Sequence, residues 1–223
     1  MKSGEIMNKY SYNNTVRFGC KELGYWDFSN MSHAYKVNCC GYTFPSSEHL
    51  FYALRFSGSP DVQQLIINHK HSSLLMKQTF RGSKKYQPFI MEHWDEVCVD
   101  VMRYIIKLKY EQNEGFRKLL DSTKGKILIE DTTIQSSAKN NTQIWGAVDE
   151  SKHPLINALK EKKKNNEITD KEYKKQLKEI LNADGDCLVG RNELGKILME
   201  IRDNKTINYN FKHKIYLLYN EIL

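Results

Sequence analysis

The chain has few of the residues that punctuate loops or staple small folds: four prolines, twelve glycines and five cysteines in 223 residues. No CxxC pair occurs among Cys20, Cys39, Cys40, Cys98 and Cys187. Zinc ribbons and thioredoxin-type redox motifs are thereby excluded, and the odd set of thiols is expected to stay free in a reducing compartment. No stretch approaches the ~18 consecutive apolar residues of a membrane span. Met1 to Asn14 has no apolar core, so no secretory signal is expected and the cytoplasm is the expected location. Neither a P-loop nor a GxGxxG turn is present, which removes two glycine-based phosphate cradles. His33 and His49 have no Cys, Asp or Glu at ligand spacing, so no metal site and no cofactor are expected.

What is there is enough to fold. Hydrophobic residues make up 40% and aromatics 11%, including 13 Tyr, a composition that excludes a disordered tail and allows a core without staples. The formal charge is +7, which invites a nucleic-acid reading. Residues 152 to 180 hold nine Lys against five acidic residues, however, so more than half of the excess lies on one segment. A lysine run of this kind is usually a solvated helical face. The charge therefore argues for no nucleic-acid groove, yet it suits a small phosphate-bearing ligand.

Along the chain, Thr15 to Cys20 (TVRFGC) reads as a strand, and Ala34 to Phe44 (AYKVNCCGYTF) as a hairpin turning near Cys40 and Gly41. Pro45 ends strand pairing and leads into a helix over Ser46 to Phe56, with Leu50, Phe51, Leu54 and Phe56 on its apolar side. Asp61 to Phe80 reads as two short helices broken around His69 to Ser73. Trp94, Val97, Cys98, Val101, Ile105 and Leu108 recur at helical spacing and mark a core helix within Ile90 to Gln112. Gly115 to Leu120 continues helically, Lys126 to Glu130 is a short strand, and Asp131 to Thr142 is a polar loop.

Leu155 to Leu181 gives two amphipathic helical segments, the second opened by a capping box of Thr169 and Glu172. Asn192 is a natural N-cap for a helix running to Asp203, and Asn204 to Leu223 reads as a loop and a peripheral helix. Asn182 to Glu193 (NADGDCLVGRNE) has acidic residues at calcium-loop spacing. Cys187 stands where such a loop needs glycine, so the segment is read as a glycine-bearing lead into a helix.

Three segments combine polar groups and aromatics beyond the demands of packing: Trp26 to Asn30 (WDFSN), Ser46-Ser47-Glu48-His49, and Gly190 to Lys196 (GRNELGK). The last two are helix starts, whose free N–H groups and positive dipole end suit a phosphate, with Arg191 and Lys196 adding charge. Glu48 falls in a first turn among aromatics. There it can stabilise a cationic centre or activate water, and it can equally well serve the helix alone.

The order of these segments resembles the YbiA-like NADAR family. WDFSN is followed by a hairpin and TFPSSEHLFYALRF (Thr43 to Phe56). The Trp94 helix, VMRYIIKLKYEQNEGFRKLLDST (Val101 to Thr123), Ile144-Trp145-Gly146 and GRNELGKILMEIRD (Gly190 to Asp203) follow. The resemblance runs from about Val16 to Asp203. It implies an α+β fold: a mainly helical single domain over 16–203 with a small antiparallel sheet, interrupted by an inserted helical hairpin at 152–181. Extensions at 1–15 and 204–223 flank it.

The resemblance further implies an N-glycosidase that cleaves the C1′–N bond of a ribosylated base. The expected substrate is a phosphorylated ribosyl or ADP-ribosyl compound: ADP-ribosyl-guanine, which would make ADP-ribosylated nucleic acid a partner, or a riboflavin-pathway ribosylaminopyrimidine phosphate. Glu48 would be the acid at the sugar. Phe28, Ser29, Asn30, Trp94 and Trp145 would line the base and ribose pocket, with Ser47, His49 and Arg55 beside them. Gly190, Arg191, Asn192 and Gly195 would face phosphate or ribose.

Such a cleavage passes through an oxocarbenium-like state that a carboxylate stabilises. No metal or redox cofactor and no membrane enters this expectation, and the helical insertion offers a surface for self-association. Two positions depart from the family pattern. Arg55 stands where relatives commonly have Lys, and a guanidinium cannot form a Schiff base. Thr142 stands where relatives often have an acid. These departures favour the alternative of a module that binds ADP-ribose or a nucleotide without cleaving it.

Overall fold

The computed structural model describes residues 7–69, 71–135 and 142–222. Its strands are β1 (Asn8–Tyr10), β2 (Thr15–Phe18), β3 (Val37–Cys39), β4 (Tyr42–Phe44), β5 (Ile127–Glu130), β6 (Leu188–Gly190), β7 (Ile215–Leu217) and β8 (Asn220–Ile222). The α-helices are α1 (Ser47–Arg55), α2 (Pro60–Ile67), α3 (Ser73–Gly82), α4 (Trp94–Gln112), α5 (Glu114–Asp121), α6 (Thr142–Trp145), α7 (His153–Lys164), α8 (Asp170–Asn182) and α9 (Glu193–Asn204). The class is α+β and mainly helical, as the sequence implies. The strands form four two-stranded pairings, of which β2–β5 is parallel. The chain divides into two compact units, each made of discontinuous stretches.

One unit comprises Asn30–Lys124 and Glu200–Leu223. Its centre is α1, where every residue from Ser47 to Leu54 is buried. Ser46 caps the helix, accepting from the His49 N–H, and α2, α3 and α4 lie against it. The β3–β4 hairpin turns through Cys40 (φ 49°) and Gly41 (φ 79°). Two consecutive positive φ values match the twist of a two-residue hairpin. Gln63, fully buried, donates to the carbonyls of Ala53 (2.9 Å) and Tyr216 (2.7 Å) and accepts from the Leu218 N–H (2.6 Å).

The C-terminal segment corrects the expectation of a peripheral helix, because β7 and β8 form an antiparallel hairpin there. Ile215, Leu217 and Ile222 are buried while Tyr219 at the turn is 85% exposed. The burial follows a period of two along β7, and Leu218 at φ 54° closes the turn. A helix would scatter these apolar side chains around its axis.

The other unit comprises Met1–Ser29 and Gly125–Met199. Here β2 pairs with β5, and Asp131, just past β5, bridges in parallel to Ala147. Val148 then bridges antiparallel to Val189 in β6, which pairs with β1. Five short pieces of chain thus satisfy one another's backbone groups in succession. The α7–α8 hairpin forms as read, with the Thr169–Glu172 capping box in place. Its apolar face (Ile156, Leu159, Leu177 and Leu181) is buried against Cys20, Leu23 and Ile134 of the same unit. Lys152, also buried, donates to the Leu181 (2.9 Å) and Ala183 carbonyls at the end of α8, where a cation complements the negative helix end.

Candidate active site

The residues singled out from the sequence fall into two groups, one in each unit. In the α1-centred unit the first turn of α1 carries Ser47, Glu48 and His49, all buried, with Glu48 at 7% exposure. The Glu48 N–H donates to the Asn30 carbonyl (2.9 Å), which holds Asn30 at the start of the helix. The Glu48 carboxylate faces the Lys77 ammonium of α3 at 3.1 Å. Lys77 was absent from the sequence reading. Between the two residues the chain runs through the rest of α1 and all of α2, and only the packing of α3 on α1 brings Lys77 to Glu48.

Around this pair the polar groups are unusually incomplete. Five buried side-chain atoms have no hydrogen-bond partner among the described residues: Asn30 Oδ1, Ser47 Oγ, His49 Nε2, Arg55 Nε and His69 Nδ1. Four of these five belong to residues assigned to the substrate from the sequence. Asn30 spends its Nδ2 on the Met102 sulfur (3.2 Å). His49 Nδ1 lies 2.8 Å from Ser46 Oγ, and that hydroxyl lies 2.8 Å from Ser73 Oγ. Burial, with His33 and His69 nearby, pushes His49 down to about 4, so its imidazole is neutral near pH 7. Arg55 spreads its guanidinium over the Tyr52 ring, 5.8 Å from the centroid. Trp94 opens α4 and meets Phe51 of α1 edge-on, centroids 5.0 Å apart.

In the other unit the GRNELG segment packs against β5. Asn192 is fully buried at φ 53°, and its Oδ1 accepts from the Glu130 N–H (3.0 Å) while its Nδ2 donates to the Leu128 carbonyl (2.8 Å). The carboxamide thus occupies a backbone donor and acceptor of β5. Asn192 stands directly before α9 and its carbonyl accepts from the Lys196 N–H (3.0 Å), so it is the N-cap by position, while its carboxamide bonds to β5 instead of to the first turn. Gly190 and Gly195 lie where the chain passes close to other backbone. A Cβ on Gly190 would lie 2.2 Å from the Gly146 carbonyl oxygen, and one on Gly195 would lie 2.2 Å from the Leu128 oxygen and 2.5 Å from the Asn192 side chain.

Arg191 and Lys196 each approach Glu193, at 3.3 and 3.2 Å. Phe28 is a fully buried core ring packed on Phe18 and Tyr25. Ser29 is buried and Trp145 half-buried. The Thr142 side chain lies outside the described residues. The nearby acids are committed: Asp131 pairs with Arg17 (3.1 Å), and Asp149 binds the Tyr12 hydroxyl and Ser151.

A model of the NADAR domain matches residues 17–204. The chain belongs to the NADAR family. Among curated relatives, the N-glycosidases YbiA of Escherichia coli and Shigella boydii are 26% identical over 192 residues, 86% of this chain and 89% of theirs. A riboflavin biosynthesis protein of Vibrio vulnificus is 25% identical over 167 residues, 75% of this chain and 32% of that protein. The NMR structure of E. coli YbiA superposes with a TM-score of 0.54 at 22% identity, covering 92% of this chain and 95% of that one, which confirms the fold. No helix among the described residues of this NADAR protein is long and apolar enough to cross a membrane.

Proposed function

We propose that this NADAR protein is an N-glycosidase that hydrolyses the C1′–N bond of a ribosylated base bearing phosphate, with Glu48 as its catalytic carboxylate. The observation that carries the reading is the set of unpartnered buried atoms on Asn30, Ser47, His49 and Arg55 around Glu48. Buried polar groups are nearly always satisfied, so a cluster that is not satisfied marks the place where a ligand supplies the partners. The curated relatives named as N-glycosidases point the same way.

In this reading C1′ gains positive character as its bond to the base nitrogen lengthens, and the bonding electron pair leaves with that nitrogen. The Glu48 carboxylate stabilises the cationic sugar or takes a proton from the attacking water, whose oxygen bonds to C1′. That proton ends on the departing base. Lys77 is a positioning residue that holds the carboxylate in one rotamer. Neutral His49 offers Nε2 to a sugar hydroxyl as donor or acceptor according to its tautomer. Arg55 supplies positive charge for phosphate, and Trp94 a flat apolar wall for the base.

The candidate substrates are ADP-ribosyl-guanine, free or in nucleic acid, and ribosylaminopyrimidine phosphates. Both are incubated with the protein, and released base or sugar phosphate is measured. Turnover that falls at least ~100-fold in Glu48→Gln, at unchanged melting temperature, is the expected result. Lys77→Met should lower kcat more than it raises KM. Arg55 favours one second reading, a module that binds ADP-ribose without cleaving it. Binding of ADP-ribose with no turnover of either substrate would establish that reading instead.

A further inference from the structure

Away from α1, the segment between α9 and β7 lies along α4 in the opposite direction. Tyr209 meets Tyr104 edge-on and lies under the Lys107 ammonium, and Asn210 N–H donates to Asp100 (3.3 Å). Phe211 meets Tyr104, and the Asn208 carbonyl accepts from Arg103. These contacts step back towards the start of α4 and deliver His213 there. His213 Nε2 lies 3.6 Å from Glu96 Oε2, while His93 Nδ1 lies 3.2 Å from Glu96 Oε1. The two imidazoles are parallel within 9°, with centroids 4.6 Å apart. One ligand atom from each of the three residues lies within 4.8 Å of the others.

We propose that His93, Glu96 and His213 form a binding site for a divalent transition cation of the zinc type. Two imidazoles and a carboxylate are a donor set for zinc, cobalt or nickel rather than magnesium or calcium. Ligand atoms around such an ion sit roughly 3.3 Å apart at bond lengths of about 2.0–2.1 Å, so small side-chain rotations close the site. A second observation supports it: Glu92 Oε1 lies 3.5 Å from His93 Nε2. A carboxylate on the far ring nitrogen holds the proton there and turns the Nδ1 lone pair towards the ion. Three protein donors leave a fourth position for water. The ion would staple the C-terminal segment to the first turn of α4. This inference does not depend on the proposed glycosidase.

The full chain is titrated with zinc chloride by calorimetry and with cobalt(II) by visible absorption. One equivalent should bind, and zinc at a hundredfold excess over Kd should raise Tm by about 5 °C or more. His93→Ala, Glu96→Gln and His213→Ala should each abolish or sharply weaken both signals, whereas His71→Asn, outside the cluster, should leave them intact. All three cluster residues are at the surface, so circular dichroism of the variants should match that of the parent. Absence of binding to the parent protein would overturn the site, leaving the cluster a proton-linked contact only. Binding that persists unchanged in His213→Ala would overturn it equally.

Discussion

Replacing Asn192 by Ala separates a packing role from a ligand-binding one. The carboxamide fills one donor and one acceptor of β5, and both bonds are buried, at 3.0 and 2.8 Å. Removing it strands the Glu130 N–H and the Leu128 carbonyl, each costing about 1–3 kcal/mol when left unsatisfied. Alanine is also less suited than asparagine to the φ of 53° at this position. We therefore expect a loss of about 3–5 kcal/mol, read as a lower midpoint in urea and as a Tm lower by about 10 °C. Hydrogen exchange localises the effect, since the Glu130 amide should lose protection more than its neighbours in β5.

Gly195→Ala should destabilise as well, because its Cβ would lie 2.2 Å from the Leu128 oxygen. The two changes meet at one carbonyl and should not be additive in the double variant. Were Asn192→Ala to leave the urea midpoint and Glu130 exchange unchanged while abolishing ligand binding, the packing assignment would be refuted.

Two further outcomes follow from burial. His49, lowered to about 4 in the folded chain against an ordinary 6.5, makes the unfolded state the stronger proton binder between those values. Its contribution, at most about 3 kcal/mol, is fully present above pH 6.5 and is lost as pH falls towards 4. Urea midpoints measured across that range should therefore slope less in His49→Gln. Leu177→Ala, inside the α7–α8 core at 4% exposure, should cost about 2–4 kcal/mol with unchanged mass in solution. A change in mass would instead mark this hairpin as a self-association surface.

Local pattern carried a large part of the architecture. The β-branched run at Thr15 to Phe18, the Cys40–Gly41 turn, the Pro45 break before α1 and the helical recurrence from Trp94 through Ile105 each act over a few residues, and each element stands where its pattern placed it. The C-terminal hairpin was missed because its strands are three residues long. So short a run shows no clear period, and its burial depends on what lies beneath it. The partners of the Asn192 side chain escape the sequence for a related reason. An asparagine before a helix reads as a cap, and nothing in its neighbours reveals that β5, more than sixty residues earlier, waits for its carboxamide.

The sequence by itself determined the family, through the order of its segments, and placed Glu48 with Ser47 and His49 in a first helical turn. It could not determine what surrounds them. That Lys77 meets Glu48, that polar atoms on Asn30, Ser47, His49 and Arg55 are left buried without partners, and that His213 reaches His93 and Glu96 were decided by the tertiary structure alone. The reason is physical. Helix and turn preferences are set by neighbouring residues, whereas an ion pair or an unsatisfied donor is a property of distance in space, which the packing of α3 and the C-terminal segment fixes.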